Sequence, residues 1–394
     1  MHYDKKDFAL AKKYAEAVMS MNELYAAGLQ PSGDMVADEV FAPPPLAPPP
    51  PGRIGAWPEI AALLREIYDG YTACGDERRV SYMREQILSL LALGRWVFQA
   101  DDAPYMQKVA DLLRVDPTPV TRPEIEADHR ALAALLTDGG YRGDLPAQFR
   151  AWRENNLTPA AELPAAAAAL LAEAKERACS IGLDALRAET PEIVIVHDVP
   201  YQGYCDFERG RVYLNGDLRY TRPGLKRLIC HETYPGHLAH METRRALLLA
   251  EKIPFDAAFV VVCTASSPVF EGLADNCLDF VGWGESRDDR VNALYEDIRA
   301  KACLTASYML WEERRDRGDT AAYLRRAALA DEDWAEARLR LMTYPLRRPF
   351  LPAYWRGSEA VRALRRRTSP NRFPAFIRYL YENMHSVNSL RKFV

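Results

Sequence analysis

Apolar residues recur at every third or fourth position along most of the chain, which is the spacing of one helix face. In the first such stretch, residues 4–29, Phe8, Ala11 and Val18 fall on one side of a predicted amphipathic helix. Further helical patterns cover residues 57–113, 123–136 and 164–186, the last of which is rich in alanine. The pattern therefore predicts a chain built mainly from α-helices.

A different pattern appears after Pro191. Residues 192–199, EIVIVHDV, form a short β-branched run, and the following YCDFERGRVYLN predicts two strands around a turn at 208–210. From Pro223 onward the helical spacing returns and continues almost to the C-terminus. We therefore predict a mainly α fold with one small β-sheet, placed directly before the segment that carries the candidate chemistry.

The same change of pattern suggests how the chain is organised. Residues 1–188 form a predicted N-terminal helical region and residues 189–394 a C-terminal catalytic region, the two making one continuous globular unit. A proline-rich loop, APPPLAPPPPG at residues 42–52, cannot donate backbone hydrogen bonds to a sheet and favours polyproline conformations. We interpret it as a stiff surface connector, and the alternative is a docking site for a proline-recognising module.

Composition narrows the class of protein. The chain has 394 residues and a net charge of -4, which gives no long-range attraction for nucleic acid or for an anionic membrane. Charges occupy the N-terminal stretch where a signal peptide is apolar, and no uncharged apolar run approaches the ~20 residues of a membrane span. The seven cysteines occur singly, as is typical of reduced thiols. We expect a cytoplasmic protein with no nucleic-acid and no membrane partner, and the oligomeric state stays open.

Three of the seven histidines lie close together in LICHETYPGHLAH, as His231, His237 and His240. Such clustering indicates a metal site. In the zinc helix HExxH, two imidazoles four positions apart lie on one helix face, while the intervening glutamate acts on water. Here the fourth position is Pro235. On an unbroken helix, His237 would lie roughly 120° away from the face of His231.

The pair Pro235 and Gly236 resolves this mismatch. Proline removes a backbone donor and glycine permits almost any dihedral angle, so together they predict a helix break that returns His237 to the side of His231. His240 would point about 180° away from His231 on an unbroken helix, so we place it beside the site and not among its ligands. The alternative is that these are ordinary histidines beside a kinked helix.

A zinc site with two histidines needs a third protein ligand. Glu271, in SSPVFEGLADNCLDF, is the candidate, and Asp275 one helical turn later is placed to accept the free N–H of a zinc-bound histidine. The same spacing of the two acidic residues occurs in glutamate-ligated zinc peptidases. The alternative is an acidic pair at a helix N-terminus, stabilised by the helix dipole. We predict Zn²⁺ as the cofactor, with His231, His237 and Glu271 as its ligands.

The sequence HETYPGH with a later EGLAD resembles the motif of the bacterial DUF885 family, which is HExxPGHH with a later EGxA. The resemblance runs from about Pro191 to the C-terminus. It includes GRVYLN, GLKRLICHETYPGH, PAYWRGSEAVRALRRR and FPAFIRYLYENMHSVNSL, whereas the N-terminal half gives no such match. The resemblance implies a large helical, zincin-like metallopeptidase fold with the small sheet beside the active-site helix.

The resemblance also implies a role for each residue of the motif. His231, His237 and Glu271 would bind zinc, and Glu232 would act as the general base. Two positions depart from the family: Leu238 stands where the family has a second histidine, and EGLA replaces the usual EGWA. These two differences leave open a substrate different from that of other members of the family.

The function we predict is zinc-dependent hydrolysis of a peptide or peptide-like amide bond, by a metal-activated water and with Glu232 as base. The substrate would be a small peptide or amide. The oxyanion needs a further electrophilic partner, for which Tyr354, Arg356 and Tyr234 are the candidates. The alternatives are a zinc Lewis-acid enzyme with a non-hydrolytic step in a biosynthetic pathway, and a metal-free binding protein that retains the fold.

Overall fold

Helices make up most of the chain and one small sheet accompanies them, which confirms the predicted fold class. The computed structural model describes every residue except 2, 31, 33–37, 50–54, 72–74, 188, 200 and 394. In chain order the helices are α1 (Lys5–Gly28), α2 (Trp57–Tyr71), α3 (Glu77–Gln99), α4 (Tyr105–Leu113), α5 (Arg122–Asp138), α6 (Leu145–Asn155), α7 (Leu163–Ser180), α8 (Arg222–Glu232), α9 (His237–Leu249), α10 (Ser267–Asp275), α11 (Cys277–Phe280), α12 (Arg287–Trp311), α13 (Arg317–Ala327), α14 (Glu332–Thr343), α15 (Pro352–Arg367), α16 (Phe373–Tyr381) and α17 (Val387–Leu390). The strands are β1 (Glu192–Val196), β2 (Gly203–Asp206) and β3 (Arg211–Asn215), and short 3-10 helices lie at Ala160–Glu162, Phe255–Ala258 and Pro370–Arg372.

The three strands form one sheet in the order β1-β3-β2. β1 runs parallel to β3, with Glu192 opposite Arg211, and β2 pairs antiparallel with β3 through a turn that ends at Gly210. Gly210 has a positive φ of 62°, a conformation that glycine adopts without strain. Val212 and Leu214 alternate with more exposed residues along β3 and are buried, so one face of the sheet packs on the protein interior.

The chain divides into two compact units that are discontinuous in sequence. The first unit contains residues 1–117, 240–273 and 344–394, and the second contains residues 118–239 and 274–343. This division does not follow the predicted boundary between residues 188 and 189, because each unit draws residues from both sides of it. The division passes inside α9 and α10, so each of these two helices has residues in both units.

A buried arginine fastens the N-terminal helix within the first unit. Arg79 on α3 donates to both carboxylate oxygens of Asp256, at 2.6 and 2.7 Å, and to Asp7 on α1 at 3.3 Å. The hydroxyl oxygen of Tyr71 accepts a further bond from the same guanidinium at 2.9 Å. Because a buried charge is costly unless it is paired, these bonds fix which segments of the unit lie together.

The described part of the proline-rich loop, residues 42–49, also belongs to the first unit. The N–H of Leu46 donates to the carbonyl of Ala258 at 2.9 Å, and the Leu46 side chain is buried while Pro44 is exposed. This part of the loop therefore runs along the surface and is anchored at one leucine. Residues 50–52 of the predicted loop lie outside the described residues.

The second unit has its own apolar core, formed where α5, α6 and α12 meet. The buried members of this cluster are Leu132, Leu136, Phe149, Trp152, Val291, Tyr295 and Ile298. The rings of Phe149 and Tyr295 lie 4.3 Å apart between centroids. Beside this core, α8 packs against α7, α12 and β2. The helix that carries His231 is thus held from several sides by regular elements.

Candidate metal centre

The helix α8 leads directly into the histidine motif. Its N-terminus is set by Thr221, whose hydroxyl oxygen accepts the N–H of Gly224 at 3.1 Å, and by Pro223 in the first turn. Its last two residues, His231 and Glu232, are both buried. The motif therefore begins at the buried end of a short, well-capped helix.

The helix breaks where the sequence predicts it. α8 ends at Glu232 and α9 begins at His237, and the N–H of Gly236 turns back to the carbonyl of Cys230 at 2.9 Å. A Cβ atom on Gly236 would lie 2.0 Å from the carbonyl oxygen of His231, a distance that real contacts do not reach. Only glycine fits this turn, because the chain folds tightly onto the end of α8.

The break brings the two imidazoles together. The rings of His231 and His237 lie 4.6 Å apart between centroids and are nearly perpendicular, at 82°. The candidate ligand atoms of His231, His237 and Glu271 all lie within 4.8 Å of one another, and all three residues are buried. Ligands about 2.1 Å from a shared zinc ion are about 3.5 Å apart, so small side-chain rotations suffice for this donor set to fit zinc.

Glu271 and Asp275 lie one turn apart on α10. Oδ1 of Asp275 is 3.0 Å from Nδ1 of His231 and 2.5 Å from Nη2 of Arg227. A carboxylate beside Nδ1 favours the proton on that nitrogen and leaves the Nε2 lone pair for a metal. Burial opposes the charge of Arg227, but Asp275 and then Glu296 raise the pKa of its guanidinium.

Glu232 is 8% exposed, and its carboxylate makes no hydrogen bond or ion pair with any residue that the structure describes. Its neighbour across the chain is Gly203, the first residue of β2, where a Cβ atom would lie 3.3 Å from Cγ of Glu232. The absence of a side chain at Gly203 lets β2 pack closely against the Glu232 side chain. A general base needs a carboxylate that is not engaged by other groups.

The structure places the other predicted residues as follows. His240 lies outside the ligand cluster, with Nε2 3.1 Å from the carbonyl oxygen of Asn383 and its ring against Phe270 and Tyr381. Tyr234 is fully buried, and the ammonium of Lys175 lies 5.7 Å from its ring centroid. Both residues are packed into the interior next to the motif.

The two candidates on α15 have different surroundings. Arg356 donates through Nε to the carbonyl of Asp116 at 3.1 Å and approaches the carboxylates of Asp116 and Glu359 at 3.4 Å. Tyr354 is half-buried, and its ring packs edge-on against Phe350 at 5.5 Å. The guanidinium of Arg356 is therefore occupied by carboxylates of its own surroundings.

Two glycines bring α15 close to the helix that carries Glu271. A Cβ atom on Gly272 would lie 2.2 Å from the backbone of Gly357, and one on Gly357 would lie 1.6 Å from the carbonyl oxygen of Pro268. The backbones of α10 and α15 thus touch, as only glycine permits. Tyr354 belongs to the same helix and lies three residues before the point of contact.

Sequence reasoning missed Arg227 and Arg347. Arg227 supports Asp275 from within α8, where its position four residues before His231 was the available signal. Arg347 lies in the loop before α15, where no periodic pattern identifies it. Burial would lower the pKa of Arg347, but Glu39, then Tyr354, Cys263 and Glu271 raise it, so the guanidinium stays charged.

Comparison with known proteins gives a likeness at the level of structure. Neither protein-family models nor curated proteins give a match to the chain. One similar solved structure is a putative lipoprotein from Colwellia psychrerythraea, with a TM-score of 0.55 and 15% identity over 84% of this chain and 65% of its own. Another is a putative lipoprotein of unknown function from Shewanella oneidensis, with a TM-score of 0.52 and 13% identity over 85% of this chain and 70% of its own. The chain spans less than two thirds of the Colwellia structure, and at these identities the likeness shows a shared fold alone.

The cytoplasmic location expected from the composition is wrong in the light of these structures. Both are described as lipoproteins, a class that carries lipid. The expectation rested on charge and hydropathy patterns, which do not report an attached lipid. Among the described residues, no helix combines the length and apolar character needed to cross a bilayer.

Proposed function

We propose that the chain is a zinc-dependent hydrolase that cleaves a peptide or peptide-like amide bond, as the resemblance to the DUF885 family implies. The proposal depends above all on one observation, the buried cluster of His231, His237 and Glu271, whose ligand atoms lie within 4.8 Å of one another. A buried set of two imidazoles and one carboxylate matches the ligands of catalytic zinc sites, which keep a fourth position open.

Each residue around the cluster would have a separate role in the reaction. A bound zinc ion would supply Lewis acidity toward the substrate carbonyl and lower the pKa of water. Glu232, which is buried and unengaged among the described residues, would take the proton from the attacking water and pass it to the leaving amine. Asp275 would hold the orientation of His231, and the phenol of Tyr354 would donate to the developing oxyanion.

Elemental analysis of the purified protein tests the metal site. We expect close to one zinc per chain in the wild type and loss of that zinc in His237→Ala. His197→Ala is the matched control, because His197 is a surface histidine that pairs with Asp217 and lies outside the cluster. A wild-type protein that holds no zinc after reconstitution would overturn the proposal.

Isotope labelling tests the reaction. The zinc-loaded protein is incubated with mixtures of small peptides and acylated amines in water enriched in oxygen-18, and the products are analysed by mass spectrometry. Hydrolysis places one solvent oxygen in each new carboxylate. Products without solvent oxygen would instead support the non-hydrolytic Lewis-acid alternative.

A further inference from the structure

Arg347 is a partly exposed arginine in the loop between α14 and α15. Its Nη2 donates to Oε1 of Glu39 at 2.5 Å, and its guanidinium lies 5.0 Å from the ring centroid of Phe350. The side chains of Arg347 and Glu39 are 20% and 19% exposed. The guanidinium is therefore fixed on one side by a carboxylate and a ring, and the side chain as a whole is not fully enclosed.

This guanidinium lies at the edge of the candidate metal centre. Phe350, over which it stacks, packs against Tyr354. Tyr354 lies three residues before Gly357, whose backbone touches that of Gly272, the neighbour of Glu271 in the sequence. The electrostatic effect of Glu271 on Arg347 agrees with this placement. The guanidinium is thus linked through neighbouring contacts to the helix that carries Glu271.

Most of the donors of Arg347 are available. A guanidinium carries five N–H groups, and the bond to Glu39 is the one hydrogen bond that this side chain makes with described residues. Arg356, by contrast, is held by Asp116 and Glu359. Arg347 can therefore offer a planar pair of N–H groups to a ligand, the arrangement that binds a carboxylate through two parallel bonds.

The local charges select the kind of anion. Glu39 already compensates the charge of Arg347, so the pair carries no net positive charge. A singly charged carboxylate can be bound by such a pair through hydrogen bonds, whereas a doubly charged anion would bring a second negative charge beside Glu39. The site thus favours a carboxylate over a phosphate.

We propose that Arg347 binds a carboxylate of the substrate and that Glu39 positions its guanidinium. Resting on the proposed hydrolase function, this defines the substrate class as peptides or acylated amino acids with a free carboxylate close to the scissile amide. Arg347 then determines specificity, and peptides that lack this carboxylate are poor ligands.

Binding measurements test the inference without turnover. Two matched mixtures of N-acetyl dipeptides, one with free C-terminal carboxylates and one with C-terminal carboxamides, are bound to zinc-loaded Glu232→Gln protein. Bound peptides are quantified by ultrafiltration and mass spectrometry. We expect the free acids to bind at least about tenfold more tightly, as charge-assisted hydrogen bonds imply.

Variants of Arg347 complete the test. Arg347→Gln should remove the preference for free acids, Arg347→Lys should restore part of it, and Arg348→Gln, a neighbouring arginine, should leave it unchanged. Because Arg347→Gln leaves the partly buried Glu39 without its partner, the double variant Arg347→Gln/Glu39→Gln removes both charges and is checked for folding by circular dichroism. It should also lose the preference.

The outcomes separate this inference from the proposed function. If acids and carboxamides bind equally, if neither binds, or if Arg347→Gln keeps the preference, the inference is overturned. The function is judged independently by zinc content and by oxygen-18 incorporation with the wild type. Hydrolysis of carboxamides as fast as of free acids would retain the function and reject the role of Arg347.

Discussion

His231 and Glu232 are neighbours in the sequence, but their side chains have different polar surroundings. Nδ1 of His231 lies 3.0 Å from the carboxylate of Asp275, whereas the carboxylate of Glu232 makes no bond to a described residue. In the proposed function, the first arrangement would orient a zinc ligand, and the second would leave a base able to accept a proton.

The role of Glu232 leads to a prediction that separates metal binding from chemistry. In Glu232→Gln the amide keeps the shape of the side chain but cannot take a proton, so we expect zinc content to be unchanged. The turnover number should fall by about 10²- to 10⁴-fold, the range that general-base catalysis contributes. Zinc analysis and steady-state kinetics on the same preparation check both expectations. A variant with full turnover would remove Glu232 as the base.

Asp275 gives a second prediction at this scale. Asp275→Asn replaces the carboxylate beside Nδ1 of His231 by a neutral amide, so the imidazole loses part of its orientation and basicity. We expect zinc affinity to fall by about 10- to 100-fold, measured by competition with a chelator. Asp217→Asn is the matched control, since Asp217 contacts His197 at 2.5 Å on the surface. Equal affinity in both variants would contradict the role of Asp275.

The sequence predicted the arrangement of residues that lie close to one another along the chain. The spacing of His231, Pro235, Gly236 and His237 implied a break, and the structure brings the two rings and Glu271 together. The same reasoning could not find Arg347, because it lies in an irregular loop and reaches its neighbours through tertiary packing. For a residue in a loop, the sequence gives the residue type but no periodic spacing from which its contacts could be predicted.

At the scale of elements, the turn between α8 and α9 brings the proposed ligands His231 and His237 together. A methyl group on Gly236 would meet the carbonyl oxygens of His231 and Cys230, at 2.0 and 2.3 Å, and both belong to the backbone. These backbone atoms cannot move away from an added methyl group without displacing His231 itself. The break is therefore a structural requirement for the proposed ligand set.

We expect Gly236→Ala to lower the free energy of unfolding by about 2 kcal/mol or more and to reduce zinc content, because the turn must open. Gly284→Ala is the control, since a Cβ atom there meets only the side chain of Leu278 at 3.6 Å. Thermal unfolding and zinc analysis of both variants check the prediction. A Gly236→Ala protein with normal zinc content would show that the turn tolerates a side chain.

The boundaries of elements were predictable where a local signal marks them. The strand pair around the turn at 208–210 forms as expected, because a glycine with positive φ sits in that turn. The helix predicted over 164–186 ends earlier, at Ser180. Gly182 has a φ of 88° and its N–H bonds to the carbonyl of Cys179 at 3.0 Å, which closes the helix. The alanine-rich composition favours helix throughout this stretch, so the sequence pattern did not indicate the end of the helix at Ser180.

At the scale of the whole chain, the two compact units are each assembled from segments that are separated in the sequence. The change of pattern near residue 189 marks the start of the sheet, but the first unit joins residues 1–117 to 240–273 and 344–394. The bonds of Arg79 to Asp7 and Asp256 illustrate the cause, since they join segments far apart in sequence. Pairings of this kind have no signature in local periodicity.

A buried histidine makes the stability of the chain depend on pH. His385 is 2% exposed, its Nε2 lies 2.7 Å from the carbonyl oxygen of Tyr379, and burial lowers its pKa from 6.5 to about 4. The unfolded chain takes up a proton below about pH 6.5, whereas the folded chain resists protonation until about pH 4. Stability therefore falls as the pH falls through this window.

We expect His385→Gln, which keeps a hydrogen-bond donor but does not titrate, to lose less stability than the wild type when the pH is lowered from 7.5 to 5. The linkage amounts to about 2 kcal/mol at pH 5, equivalent to several degrees in the unfolding midpoint. Thermal unfolding at both pH values checks this, with His197→Gln as the control because His197 is exposed. Other groups titrate over the same range, so the informative quantity is the difference between the variant and the wild type. If that difference is absent, the imidazole of His385 accepts its proton in the folded chain as readily as in the unfolded one.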